Sequence, residues 1–185
     1  MSAADEQQLI RQAKDGSADA FRILVERYMK HAYNVAYSFV NNHDDAEDIS
    51  QEAFVRVYRS LRSFRGDSAF TTWLYRIIVN LSMNFLNHNK KKNQREVHDS
   101  VLMEMLAENN PGTGHSLDVQ IPIEHALLRL TTLQRTVVTL RHLDGLSTKE
   151  VSTIMRCSEG TVKTHLHRGL RKMRTALQYL KDGGR

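Results

Sequence analysis

Proline is absent from the first 110 residues and occurs only at Pro111 and Pro122 of the 185-residue chain. Inside a helix a proline removes a backbone hydrogen bond and clashes with the preceding turn, at a cost of ~3 kcal/mol. A chain rich in Leu, Ala, Arg and Glu, with its prolines confined to one short stretch, is free to be helical on both sides of it. The apolar residues use that freedom. Phe21, Leu24, Val25, Tyr28, Ala32, Ala36 and Phe39 recur mostly in steps of three and four, one face of a long helix. Ser17 is its expected N-cap, and Asp15-Gly16 separates it from a short first helix around 7–14. The next helix starts in Asp44-Asp45-Ala46-Glu47-Asp48, where carboxylates complement the positive end of the helix dipole, and its buried stripe is Ile49, Ala53, Phe54, Val57 and Leu61. Arg65-Gly66-Asp67-Ser68 interrupts the pattern. Ser68 is then expected to cap a fourth helix that buries Phe70, Trp73, Leu74, Ile77, Ile78, Leu81 and Phe85.

After Leu86 the periodicity stops. Asn87 to Arg95 is polar and basic, and Asn109-Asn110-Pro111-Gly112-Thr113-Gly114 is a run of turn formers, with a short helical turn expected at 101–106. The spacing resumes at Ile123, Leu127, Leu130 and Leu133 and continues through Val137, Val138 and Leu140, reading as one helix that ends at Asp144-Gly145. Ser147-Thr148-Lys149-Glu150 is a capping box for a short helix that buries Val151, Ile154 and Met155. A turn at Cys157-Ser158 leads into a long helix with Val162, Leu166, Leu170, Met173, Leu177 and Leu180 on its inner face. The fold class is all-α: an N-terminal domain over 1–90, a flexible linker over 91–120, and a C-terminal helix-turn-helix domain over 121–185.

Charge is unevenly placed. Residues 141–185 carry ten Lys/Arg against four Asp/Glu, whereas residues 97–140 carry two against five. Concentrated positive charge is the footprint of phosphate binding, although a solvated basic helix face gives the same composition. The single cysteine, Cys157, forms no internal disulfide, which suits a reducing compartment. The acidic N-terminus lacks the order of a signal peptide, and no apolar run approaches the ~20 residues needed to span a bilayer. A cytoplasmic protein with no membrane insertion of its own is expected.

Three constellations invite chemistry. The first is the second helix of the helix-turn-helix. Lys163, Thr164, His167, Arg168 and Arg171 lie away from its apolar stripe, with Glu159 and Thr161 at its N-terminal end, where recognition helices reach base edges. An ordinary αα-hairpin with a solvated basic face is the plainer alternative. The second is the outer face of the fourth helix, where Thr72, Arg76 and Asn80 repeat at every fourth position beside Tyr75 and Asn84. Arg and Asn suit bidentate base contacts, and Phe64 adjoins a glycine loop, an arrangement that suits unstacked bases of a single strand. The alternative is that these aromatics are core, as Phe70 and Ile77 are expected to be. The third is the acidic run at 44–52. Its carboxylates fan around a helix end instead of converging, and no phosphate loop or histidine base accompanies them, so a partner-binding face is expected rather than a catalytic one. Cys157, His165 and His167 lack a fourth ligand and a known spacing, so neither a metal nor any other cofactor is expected.

These residues form a family pattern. Asp45-Ala46-Glu47-Asp48-Ile49-Ser50-Gln51-Glu52-Ala53-Phe54 resembles the segment by which extracytoplasmic-function (ECF) sigma factors dock on the clamp of RNA polymerase. Phe64 to Ile77 is similar to the family's segment that opens and reads the minus-ten element, and Gly160 to Gly169 to its minus-thirty-five recognition helix. The resemblance implies that Asp45, Glu47, Asp48, Gln51, Glu52 and Phe54 contact core RNA polymerase. It implies that Phe64, Arg65, Gly66 and Ser68 hold a flipped base while Arg76 and Asn80 read its neighbours. It further implies promoter DNA as ligand, double-stranded at minus-thirty-five and single-stranded at minus-ten, and an anti-sigma factor, commonly membrane-anchored, as inhibitor. Two positions depart from the pattern. Thr131-Thr132 stands where the family often has Leu-Pro, and Ser158 replaces a frequent turn proline.

Two rival readings make different demands. A response-regulator output protein needs an upstream α/β receiver, and residues 1–90 show no strand pattern. An all-α metal enzyme needs converging ligands.

Overall fold

Side-chain caps decide where the helices begin. The Ser17 hydroxyl accepts from the Ala20 N–H at 3.2 Å and the Asn42 amide oxygen from the Asp45 N–H at 3.1 Å, each satisfying a donor that has no partner inside its helix. The computed structural model describes residues 3–93 and 122–181. Their elements are α1 (Ala3–Lys14), α2 (Ala18–Val40), α3 (His43–Ser60), a 3₁₀ turn at Leu61–Ser63, α4 (Phe70–Asn93), α5 (Pro122–Leu128), α6 (Thr132–Val138), a π turn at Thr139–Leu143, α7 (Thr148–Met155) and α8 (Glu159–Lys181). No strand occurs among the described residues.

Helix α1 begins at Ala3, earlier than expected, and three further boundaries differ from the sequence expectation. Helix α4 starts at Phe70, and it is the Ala69 carbonyl, not Ser68, that takes the first helical N–H, that of Trp73, at 3.2 Å. At its other end α4 runs through Lys90-Lys91-Lys92 to Asn93. Loss of apolar periodicity there is not loss of helix: no proline or glycine stands between Phe70 and Asn93, and lysines suit a helix C-terminus. Residues 91–93 of the expected linker are therefore helical, and its remainder, with the turn expected at 101–106, lies outside the described residues. The helix expected from Ile123 to Leu140 is two helices and a π turn. Thr131 adopts an extended backbone at the N-cap of α6, its carbonyl accepts from the Arg135 N–H at 2.9 Å, and the Gln134 side chain reaches back to its N–H. A threonine hydroxyl favours such a cap, so the residue standing in the family's proline position starts a helix by another means.

The N-terminal core is built on alanine as well as on large side chains. Ala32 and Ala36 of α2 and Ala46 and Ala53 of α3 are fully buried, letting the helices approach closely, with Leu24, Val35, Val57, Leu74 and Ile78 filling the space between. Val137, Leu140, Leu146, Val151, Ile154 and Val162 from the C-terminal block join the same apolar cluster. The two blocks pack through α2 against α6 and the π turn, and through α4 against α7. That second neighbour explains why Tyr75 and Val79 of α4 are buried, while the expected core residues Trp73, Ile77 and Phe85 are only partly so.

Within the C-terminal block the capping box of α7 is present. Ser147 Oγ accepts from the Glu150 N–H at 3.2 Å, and Glu150 Oε2 accepts from the Ser147 N–H at 2.8 Å. The Ser147 hydroxyl and backbone hold the Glu150 carboxyl below its ordinary range. Their contribution is therefore present above that range and is lost as pH falls through the depressed value. Ser147→Ala is expected to cost ~1 kcal/mol near neutral pH and to flatten this acid limb. A thermal melt repeated at several pH values measures both effects. In the turn that follows, Arg156 takes a left-handed backbone (φ 52°). Ser158 then caps α8 by accepting from the Thr161 N–H at 3.0 Å, again doing without a proline. Helix α8 crosses α6 at Gly169, where an added Cβ would stand 3.0 Å from Val138 Cγ2. Leu170, expected on the inner face of α8, is instead 38% exposed, because the close approach at Gly169 centres the contact one residue earlier.

Candidate nucleic-acid interface

Helix α8 presents the basic face that its sequence predicts. Glu159, Lys163, Thr164, His167, Arg168 and Arg171 are exposed, and Thr161 is half-buried beside the Ser158 hydroxyl, 2.9 Å away. The Thr164 hydroxyl donates to the Gly160 carbonyl at 2.9 Å, which leaves its oxygen facing outward as an acceptor. His165 is turned inward. Its Nδ1 is buried with no hydrogen-bond partner, and burial, followed by the charge of Arg168, pushes its pKa down, so it joins no cationic face. Burial also raises the Cys157 thiol pKa, away from the reactive thiolate.

The loop before α4 projects Arg65, Gly66 and Ser68 into solvent, with Gly66 at φ +82°, a conformation that suits glycine. Phe64 does not project. It is 9% exposed and packs against Trp73 (ring centroids 4.9 Å apart) and edge-on to Phe70 (6.0 Å), so it anchors the loop and offers no free stacking surface. The loop is also tied to α1, where Lys14 Nζ donates to the Phe64 carbonyl at 2.8 Å. Nothing in the sequence marks Lys14 for this contact, since a lysine ending a helix looks solvated.

The expected reading face of α4 divides. Arg76 and Asn84 are exposed, and Asn80 is half-buried in a cleft of about 320 Å³ that it lines with Asn84, Met83, Met155, Cys157 and Thr161. Thr72 and Tyr75, expected to face outward, are 3% and 2% exposed. They lie under the C-terminal block, where burial of the Tyr75 hydroxyl, followed by the charge of the neighbouring Asp144 carboxylate, pushes the Tyr75 pKa up.

On α3 the carboxylates fan outward. Glu47, Asp48 and Gln51 are exposed and Asp45 and Glu52 half-buried, with Gln51 donating to Glu47 at 3.2 Å and Arg56 to Glu52 at 2.8 Å. Burial, reinforced by Asp48 and Asp44, raises the pKa of Asp45. Phe54 does not belong to this surface. It is 4% exposed and points into the core, because it shares the inner stripe with Ala53 and Val57. No group of three or more His, Cys, Asp or Glu residues among the described ones is arranged to hold a metal ion.

Two helical modules, the second a helix-turn-helix, correspond in order to two family descriptions: Sigma-70 region 2 matches residues 24–92 and Sigma-70, region 4 matches residues 120–173. Together they define the sigma-70 class of RNA polymerase subunits, which is not an enzyme family. Relatives narrow the class. The chain is 36% identical to the RNA polymerase sigma-H factor of Pseudomonas aeruginosa, with 97% of each chain covered. It is 34% identical to the ECF RNA polymerase sigma factor SigW of Bacillus subtilis, covering 92% of this chain and 96% of that one. With the ECF RNA polymerase sigma-E factor of Escherichia coli it shares 36% identity over 88% and 89%. The chain belongs to the ECF sigma factors. Its fold is that of CnrH, solved in complex with the cytosolic domain of CnrY (TM-score 0.63, 24% identity, covering 94% of this chain and 97% of that one). The sigma factor RpoE of Bartonella quintana, solved with the anti-sigma factor NepR, aligns equally well (TM-score 0.63, 24% identity, 85% and 96%). Among the described residues no helix is long and apolar enough to cross a membrane.

Proposed function

We propose that this sigma factor docks on core RNA polymerase through the acidic face of α3, opens and reads the minus-ten element with the 64–68 loop and α4, and reads the minus-thirty-five duplex with α8. The observation that carries the reading is α8 itself: a rigid, capped helix with four exposed cationic or hydrogen-bonding side chains, Lys163, Thr164, Arg168 and Arg171, on the face away from its packing contacts. Asp45, Glu47, Asp48 and Glu52 supply negative charge for a basic polymerase surface, and Gln51 a neutral hydrogen-bonding group beside them. Arg65, Gly66, Ser68, Arg76, Asn80 and Asn84 supply the single-strand contacts. Residues 1–90 and 121–185 then act as two functional domains with separate ligands. The chain works in the cytoplasm without catalytic chemistry of its own, and its regulon is a stress or envelope response. An anti-sigma factor, commonly membrane-anchored, holds it inactive; the RpoE relative of Bartonella quintana was solved in complex with an anti-sigma factor. Transcription in vitro with core polymerase on a promoter library tests the whole reading, and failure to select any promoter overturns it.

Within α8 the roles separate by position. Arg168 lies past the first turns and is assigned to phosphate, whereas Lys163 and Thr164 lie near the end that reaches base edges. Arg168→Ala is expected to reduce the log–log salt slope of minus-thirty-five binding by ~1 with little change in sequence preference. Lys163→Ala or Thr164→Ala is expected to change preference instead. Binding titrations at several salt concentrations on two duplex sequences would show the reverse assignment if Arg168→Ala altered preference alone.

A further inference from the structure

Helix α4 is 24 residues long and has no Asp or Glu, yet it carries Arg76, Lys90, Lys91 and Lys92. On α2 and α3, by contrast, exposed cations are paired: Arg22 lies 3.7 Å from Asp19 and 2.8 Å from Glu26, and Arg56 meets Glu52 at 2.8 Å. The last apolar residues of α4, Phe85 and Leu86, pack partly buried against the core, and the helix then runs on through residues 87–93, ~10 Å further. That extension, Asn87-His88-Asn89-Lys90-Lys91-Lys92-Asn93, contains no apolar residue, and His88 and Asn89 are exposed. Burial does not account for it. The negative end of the helix dipole, equivalent to about half a charge, offsets only part of three successive lysines that repel one another. Register ties the extension to the face already assigned to DNA. At about 100° per residue, Arg76, Asn80, Asn84, Asn87 and Lys91 fall within an arc of ~80°, with Lys90 just outside it. Lys91 stands ~10 Å beyond Asn84 along the axis, about three base-pair steps.

We propose that residues 87–93 form a sequence-independent clamp on the phosphate backbone of duplex DNA directly upstream of the minus-ten element. The proposal deepens the reading that α4 contacts the minus-ten element and rests on it. In that reading the 64–68 loop, at one end of α4, takes the opened strand. The other end leads into the tether to the block that reads minus-thirty-five, so the extension meets the DNA between the two elements, which stays paired. Lysine suits this ligand. Its ammonium is a compact point charge that meets phosphate from many directions, whereas base reading uses the forked or paired groups of Arg and Asn. An acidic protein surface is the competing ligand for the same charge. The arc shared with Arg76 and Asn80 favours DNA, because a helix face that holds bases along one part lies against the backbone along the next.

The full chain assembled with core polymerase is titrated onto two probes at several salt concentrations. One is a forked promoter, duplex from minus-thirty-five to the upstream edge of minus-ten and single-stranded beyond it; the other is the single-stranded minus-ten oligonucleotide alone. Lys90→Gln/Lys91→Gln/Lys92→Gln is expected to weaken binding to the fork about 10-fold near ~0.1 M salt and to lower its log–log salt slope by ~2, with no change on the single strand. Glutamine has nearly the helix propensity of lysine, so the variant is expected to melt with the wild type. Should it misfold, Lys91→Gln alone decides, with a slope change of ~1 on the fork. Equal affinity and slope for wild type and variant on the fork overturn the clamp and leave the reading of α4 standing. Equal loss on both probes overturns it too, by moving the contact to the opened strand. So does a loss of core-polymerase binding before DNA is added, which assigns the lysines to an acidic protein surface. If the wild-type assembly binds neither probe, the reading of α4 falls and the clamp falls with it.

Discussion

Gly169→Val is expected to destabilise the protein by ~3 kcal/mol and to abolish minus-thirty-five binding at temperatures where the wild type is folded. Even a single Cβ at this position stands 3.0 Å from Val138 Cγ2 and 3.5 Å from the Gln134 carbonyl oxygen. Val138 and Gln134 are themselves 3% and 7% exposed, so neither has space to retreat. Valine adds two further methyl groups, which must either force α8 away from α6 or distort the backbone of α6. Gly169→Ala is expected to cost much less, since the gain in helix propensity of ~1 kcal/mol offsets part of the crowding. Thermal unfolding followed by circular dichroism distinguishes the cases. A valine variant that melts with the wild type would mean that the helices separate freely at this crossing.

The second large effect concerns Asn80. Asn80→Ala is expected to slow promoter opening by roughly 10- to 100-fold at a matched minus-ten element and to relax specificity there, corresponding to ~1–3 kcal/mol for a lost bidentate contact. Folding and polymerase binding should be almost unaffected. Asn80 lines the cleft and is no part of the core, and it makes no hydrogen bond to the 64–68 loop, which Lys14 and the Phe64 ring hold instead. Permanganate footprinting on matched and mutated minus-ten sequences, run beside a melting curve, checks both halves. Uniform loss of opening on every sequence with a lowered melting temperature would assign Asn80 a structural role.

Much of the helical plan was legible in the sequence because capping and periodicity are local. Ser17, the α7 capping box and the inner stripe of α3 all lie within a few residues of what they control. The α8 face was legible for the same reason, since one packing stripe determines what is left outside. Helix α4 was harder because it is packed on two sides, against α2 and α3 of its own bundle and against α7. Periodicity locates one buried face, so Thr72 and Tyr75 were placed on the outer one, which α7 covers from more than seventy residues away in sequence. Family resemblance put Phe54 on a docking surface against its place in the inner stripe, and Phe64 was read as a stacking ring beside the glycine loop, although both rings serve as core anchors. The bonds between the blocks, joining Ser38 to Thr136 and Arg135 to Asn41, span 98 and 94 residues, and no local pattern pairs them. One signal was available: an arginine set among Leu133, Val137, Val138 and Leu140 sits where burial is expected, and a buried charge needs a partner.

The continuation of α4 to Asn93 turns the chain between the blocks into a ruler. Between Asn93 and Pro122 lie 28 residues, and whatever path they take they span at most ~90–100 Å. Twenty-five base pairs, the nominal offset between elements named minus-ten and minus-thirty-five, measure ~85 Å along the duplex at ~3.4 Å per step. Covalent reach and promoter length are therefore close to equal, with only the widths of the two helical blocks as slack. In the proposed role, each residue deleted from this stretch takes ~3.3 Å from the longest spacer at which one molecule holds both elements.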